Sequence, residues 1–469
     1  MNIKDYLSLD RNERRLMLAN FIRETGAAAA YIIGIFGYAA YGFGGDPATV
    51  MYIMLVINVA IMVGNFIGGG LVDRIGPRKT VLFSSITVVL VSFTALMIEG
   101  DLTAFLIFTG VYGICITVLS SGYLSFAPYL EKGKEGLRRV NSFLTMGTFI
   151  ALIVGSGVGA VIAEQFSVYS VFILLAVVTA MAALVMLRVQ EKYSPDDEGE
   201  EESEESVIAT VDTEVARLAE EHKLKLTEPI RPVGTSVAAG NVLVGRTAEK
   251  RRVKKESPFG EAIEGWRIIR SSRTLKYYLA VAIAIVFGFG AFDALESLYF
   301  KQVLQVDIYA IGWVHAIGGL GLIIGVALLT TFPTKWISSR LLIFLMLLCG
   351  VGSVIYVATL SLVWVAVGNF ILSFVFGIFD PLLRTLVQAD TPLEAVGRVL
   401  GTINMIVVGL LLIPLVISPW LSDLFGVQQV LILMGALPIA FAALLYPSGR
   451  KLDREAAGSR KIEGVDIFE

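Results

Sequence analysis

Apolar and polar positions alternate along this chain in long blocks. Nearly uncharged stretches recur near 17–42, 50–72, 79–99, 102–124, 140–163 and 168–189, and again near 275–298, 308–331, 340–360, 363–386, 396–420 and 427–447. A helix needs roughly 20 apolar residues to cross a hydrocarbon core. The pattern therefore predicts an all-α membrane protein with twelve transmembrane helices. The turns between spans are short, except for the polar interval 190–272. The fifth span opens on Arg139-Val140 and the eleventh on Arg398-Val399, an internal echo that predicts two pseudo-symmetric six-helix halves. Two such halves are the architecture of rocking secondary carriers. The expected organisation is an N-terminal segment 1–16, a first half 17–189, a linker 190–272, a second half 273–447 and a tail 448–469. The polar stretch 1–16 predicts no cleaved leader.

Composition agrees. Of 469 residues, 55% are hydrophobic and 17% charged, which excludes a water-soluble fold. Sidedness follows from the basic residues. Lys4, Arg11, Arg14 and Arg15 precede the first span, Arg74, Arg78 and Lys79 follow the second, and Lys132, Lys134, Arg138 and Arg139 follow the fourth. Lys335, Arg340 and Arg398 continue the series in the second half. The alternate turns hold no Lys or Arg, with Lys301 as the exception. Both termini and the linker are thus expected in the cytoplasm, and the chain in a bacterial cytoplasmic membrane. Cys115 and Cys349 lie in separate apolar spans and read as packing thiols.

The linker carries an acidic block at 196–205 and a basic block at 250–255, and reads as partly disordered. Val211, Val215, Leu218, His222 and Leu226 stand at helical spacing between them. Phe259, Ile263, Trp266 and Ile269, interleaved with Arg267, Arg270 and Arg273, read as an interfacial helix leading into the seventh span.

The turn after the second span reads Gly69-Gly-Leu-Val-Asp73-Arg74-Ile-Gly76-Pro-Arg78-Lys79. This pattern resembles the signature of the major facilitator superfamily. The stretches 259–276 and 385–401 are similar to blocks of its drug/proton antiporter branch, which includes the macrolide-efflux transporters. The resemblance implies that Gly69, Asp73, Arg74, Gly76, Arg78 and Lys79 form a gating element. In it, the acid and base clamp the two halves in one facing and release them in the other. The fifth span holds Gly155, Gly157 and Gly159, close to the antiporter glycine motif, with Ser156 where that motif has proline. Glycines at this spacing also let helices approach closely.

A carboxylate inside a bilayer is costly and tends to be functional. Glu24, two turns into the first span, shares an α-helical face with Ala28, Tyr31, Gly34 and Tyr38, a candidate cavity lining; the family often places an acid here. Its neighbour Arg23 is expected to snorkel to the interface. Asp293 and Glu296 share a face of the seventh span with Phe289 and Phe300, as an outer vestibule pair or as functional groups. Asp380 stands one turn before Arg384 in the tenth span, near Asn369, Ser373 and Phe376, where the two charges can neutralise each other. His315 reads as a packing residue or a proton carrier. Asn58 and Asn65 in the second span, and Asn404 in the eleventh, read as interhelical bridges or cavity lining. Tyr112 and Phe379 add aromatic surface, and Pro414 and Pro419 are expected to kink the eleventh span.

No nucleophile, phosphate loop or paired-metal spacing occurs, so the chain is read as a transporter without enzymatic activity, cofactor or metal. The expected function is proton-driven efflux of amphipathic organic compounds through a cavity between the halves, with Glu24 as first choice for proton coupling. The expected partners are a small-molecule substrate, protons and membrane lipids, with no nucleic acid, for a monomer. Proton-linked nutrient uptake and a non-transporting receptor or scaffold remain open alternatives.

Overall fold

In the computed structural model, residues 9–98, 100–131, 134–192, 258–329, 331–332, 338–391 and 395–462 are described, the side chains of 73, 134–139, 258–262, 396–397 and 453–462 excepted. The acidic and basic blocks, the 211–226 pattern and the Asp73 side chain lie outside the described residues.

With no water in the hydrocarbon region, each backbone amide must be satisfied within its own segment, and long apolar runs become helices. The first span is composite: α-helix Arg11–Ala29, π-helix Ala30–Gly37, then Tyr38–Tyr41. The next five are Pro47–Ile75, Pro77–Thr94, Leu102–Leu124, Lys134–Gln165 and Ser170–Met186. A helix at Pro258–Ser271 precedes the seventh span, which runs through Arg273–Val286, Phe289–Leu298 and a second π-helix, Tyr299–Val303. The rest are Ile308–Leu329, Ser339–Val357, Leu362–Ala389, Val396–Phe425 and Val427–Ile462. Among the described residues ten helices are long and apolar enough to cross a membrane. The shorter Ser170–Met186 and the composite first span complete the twelve. The fifth and twelfth helices extend beyond their apolar cores, starting at Lys134 and ending at Ile462.

Local chemistry sets the ends. Asp46 caps the second span by accepting from the Thr49 N–H at 2.9 Å, and Asp101 caps the fourth by accepting from the Thr103 N–H at 2.8 Å. Gly76 separates the second and third spans with φ of 81°, a conformation that a side chain would strain.

The packing repeats after six spans. The first packs on the fifth and sixth as the seventh packs on the eleventh and twelfth. The second packs on the fourth as the eighth packs on the tenth, and the third meets the fourth and sixth as the ninth meets the tenth and twelfth. The halves join by a matching exchange: the fifth span contacts the eighth, and the second contacts the eleventh. Small residues allow these approaches. A Cβ at Gly321, Gly325 or Gly377 would strike a backbone carbonyl in the eighth–tenth pair.

The halves touch most closely at the face away from the chain ends. There Lys301 Nζ donates to the Ala40 carbonyl at 2.9 Å and Gln302 Nε2 to the Gly45 carbonyl at 2.7 Å, while the Tyr41 hydroxyl donates to the Val306 carbonyl. Deeper in the fifth–eighth seam, a Cβ on Gly312 would stand 2.7 Å from the Ser156 carbonyl. Toward the face where the first helix begins, Gly69, Gly70, Gly147, Gly401 and Gly409 have open space beside them. Phe66 and Met405 are exposed there. The cleft thus opens on the side of the chain ends.

Candidate functional site

A cavity of about 440 Å³ lies among the helices of the first half. Glu24 and Tyr31 from the first span, Asn65 from the second, Tyr112 from the fourth and Thr148 and Leu152 from the fifth line it. All of these residues belong to the first half, whereas the cavity was expected between the halves. Tyr112 is buried and stacks on Phe108, centroids 5.9 Å apart. Asn65 is exposed to the cavity, and Asn404 is exposed on the eleventh span.

Two expectations for the first span fail for physical reasons. Arg23 does not snorkel: its side chain is 2% exposed and forms an ion pair with Glu24. It also donates to Asn20 Oδ1 at 3.1 Å, and its guanidinium lies 5.0 Å from the centroid of the Tyr123 ring. Inside the bilayer, a counter-ion and an aromatic face replace water more effectively than a long reach outward. Tyr38 does not line the cavity. The π-helix Ala30–Gly37 carries about one extra residue per turn, which rotates everything beyond it. Gly34 therefore faces Phe172, and Tyr38 enters an aromatic cluster with Phe43, Phe105 and Tyr169, where the Tyr169 hydroxyl donates to Tyr38 Oη at 2.8 Å.

The second half builds a different arrangement. Of the two readings left open for Glu296, the burial of its side chain rules out a solvated vestibule position. Glu296 accepts a hydrogen bond from the Tyr356 hydroxyl of the ninth span. His315 Nε2 of the eighth span lies 3.2 Å from Glu296 Oε1, within ion-pair distance but without hydrogen-bond alignment. The attraction between them is therefore Coulombic and depends on the charge of the ring. One turn away on the same helix, Asp293 receives the Asn58 amide at 3.4 Å, a contact between halves. The ring of Phe36, in the first-span π-helix, meets the His315 ring edge-on at 5.8 Å, a second such contact. Among the described residues no lysine or arginine forms an ion pair with Asp293 or Glu296.

Asp380 and Arg384 pair at 2.9 Å with side chains 58% and 62% exposed, as their spacing predicts. Asn369 instead donates to the Val314 carbonyl at 3.0 Å and packs the tenth span on the eighth. Phe376 meets Phe289 edge-on at 5.0 Å, and Phe379 is buried. In the turn after the second span Arg74 and Lys79 are exposed. Arg78 donates to the Leu187 carbonyl at 3.0 Å and, through its N–H, to Glu191 Oε1 at 3.3 Å, both within the first half. Gly155 and Gly159 pack directly on Thr25, Ala28 and Ala29 of the first span, whereas Gly157 meets only Trp313, at 3.7 Å, and is not needed for close approach.

Sequence reasoning missed Tyr356, Tyr123 and the Lys301–Gln302 latch. A tyrosine in an apolar run carries no signal of its own. Lys301 did carry one, as the basic residue out of place among the uncharged turns.

Twelve spans in two repeating halves, joined at one face and cleft at the other, define a multi-pass membrane transporter. The family model of the Major Facilitator Superfamily matches residues 16–414, and the chain belongs to that family. It is 26% identical over 160 residues to the putative transporter AraJ of Escherichia coli (strain K12), a match spanning 34% of this chain and 40% of that relative. In structure it is similar to a point mutant of the nucleoside transporter NupG, with TM-score 0.65, 10% identity, and 93% and 99% of the two chains covered. It is also similar to a POT family transporter in complex with a thioalcohol conjugated peptide, with TM-score 0.64, 12% identity, and 94% and 96% covered.

Proposed function

We propose that this chain exports small amphipathic organic compounds by alternating access, driven by protons. The observation that carries the reading is the cluster of buried Glu296 and Tyr356 with partly exposed His315, set beside two contacts between the halves. With a neutral imidazole, the cluster holds one negative charge. One proton makes it neutral, whichever atom receives it. A change of one charge in a buried site alters the contacts that Asn58 and Phe36 make across the halves, and so biases a two-state equilibrium. Glu24 is a weaker choice, because Arg23 already neutralises it. Tyr31, Tyr112 and Ile57 give the cavity an apolar and aromatic lining, with Asn65 and Glu24 as polar fixing points, the mix that suits an amphipathic ligand. By the distribution of basic residues, the open face is cytoplasmic.

Export rests on the similarity of 259–276 and 385–401 to the drug/proton antiporters. Ser156 in the glycine motif favours a second reading, proton-linked uptake. The test is accumulation of a panel of lipophilic dyes and macrolides in cells making the protein, with and without a protonophore. The reading expects lower accumulation of at least one compound, restored both by the protonophore and by Glu296→Gln. Unchanged accumulation of every compound would refute export. Protonophore-sensitive gain of a compound would establish uptake.

A further inference from the structure

The helix Pro258–Ser271 has two unlike faces. On one, Ile269 is fully buried and Gly265 packs so closely on the eleventh span that a Cβ would strike the Arg398 carbonyl and Thr402 Oγ1. Glu264 on the flank of that face forms an ion pair with Arg398. On the other, Ile263, Trp266, Arg267 and Arg270 form one continuous exposed arc, with Ile263 at 50% and Trp266 at 45% exposure. The helix stops one residue before the seventh span, whose first turn is capped by the Ser272 hydroxyl accepting from the Leu275 N–H at 3.2 Å. It therefore lies at the membrane boundary. Lys276, one turn into that span, is also exposed.

An indole and a branched alkyl beside two guanidiniums have a specific complement: a surface that is apolar below and anionic above. Tryptophan settles at headgroup level, arginine pairs with phosphate in a bidentate fork, and cytoplasmic leaflets carry anionic lipid. A protein partner would not require this helix to sit at the bilayer edge.

We propose that Pro258–Ser271 is a strap that docks its Ile263–Trp266–Arg267–Arg270 face on anionic phospholipid and thereby links the lipid surface to the eleventh span. The buried face is fixed to the first turns of that span. Just beyond them, Gly401 and Gly409 stand in open space and Met405 is exposed, so the strap grips the part of the second half that borders the cleft. Charge loss at Arg267 and Arg270 leaves Glu264, Gly265 and Ile269 untouched, so the strap stays folded while its lipid contact is lost. Two arginines at an anionic surface bias the docked arrangement by about thirtyfold, and salt screens the effect.

The test places an environment-sensitive fluorophore on Ile263→Cys, with Cys115 and Cys349 replaced by alanine. The full chain is reconstituted in phosphatidylcholine vesicles or in equal mixtures with phosphatidylglycerol. The expected result is a blue shift in the anionic vesicles, diminished by high salt and abolished in Arg267→Gln/Arg270→Gln. Identical spectra in both vesicles would overturn the proposal. So would a spectrum that ignores lipid but changes when 196–205 is deleted, because the acidic block of the same chain would then be the occupant. A blue shift that persists in the double variant would also overturn it, since the arginines would not be the contact.

Discussion

Replacing Glu24 with glutamine should destabilise the fold before it touches proton coupling. The Arg23 guanidinium is buried and Glu24 is its ionic partner. Removing one member of a buried pair leaves an uncompensated charge, at a cost of about 3–5 kcal/mol. Arg23 keeps the Asn20 amide oxygen and the Tyr123 ring, so the lower end applies. About 3 kcal/mol corresponds to roughly a hundredfold change in the folded-to-unfolded ratio. Removing both charges, in Arg23→Met/Glu24→Gln, leaves an apolar chain under Tyr123 and no orphan charge, and should recover most of the loss. The assay is the Tm of the purified protein in detergent for the parent, the single variant and the double variant. The predicted order is a clearly lowered Tm for Glu24→Gln, with the double variant close to the parent. A single variant as stable as the parent would refute the reasoning. So would a double variant less stable than the single.

Gly159→Val should force the fifth span off Ala29 and cost about 1–3 kcal/mol by overpacking, whereas Gly157→Ala should leave Tm unchanged; thermal melts of the two check this. Lys301→Met removes a hydrogen bond made by a cation, about 1.5–3 kcal/mol. It should lower the Tm of the purified protein in detergent, and an unchanged Tm would remove the latch from the account.

The fold was largely legible because a bilayer allows little else: blocks of apolar residues become helices, and their charges report their ends. The duplication showed in spacing, and the packing of Gly155 and Gly159 in their four-residue interval. The local departures were not legible. Both π-helices, at Ala30–Gly37 and Tyr299–Val303, break the α-period on which a face assignment depends, and the first misplaced Tyr38 and Gly34. Arg23 defied the snorkelling expectation because Tyr123 and Glu24 meet it in space, far apart or adjacent in sequence but never at helical register. The proposed proton site was half visible. Glu296 and His315 stood out as ionisable groups among apolar neighbours, but their approach depends on how the seventh and eighth spans pack, and Tyr356 comes from a third. The Asp380–Arg384 pair was readable because it lies within one turn of one helix.

The central claim is that the Glu296–His315–Tyr356 cluster carries the proton that drives the cycle, with Glu296 supplying its negative charge. It is tested most directly in proteoliposomes enclosing a pH-sensitive dye, under an imposed pH gradient, with a compound taken from the dye and macrolide panel. The account predicts that the compound triggers proton flux through the parent, and that Glu296→Gln binds the compound, keeps the parent's Tm and moves no protons. Substrate-triggered proton flux at the parent's rate in Glu296→Gln would contradict it.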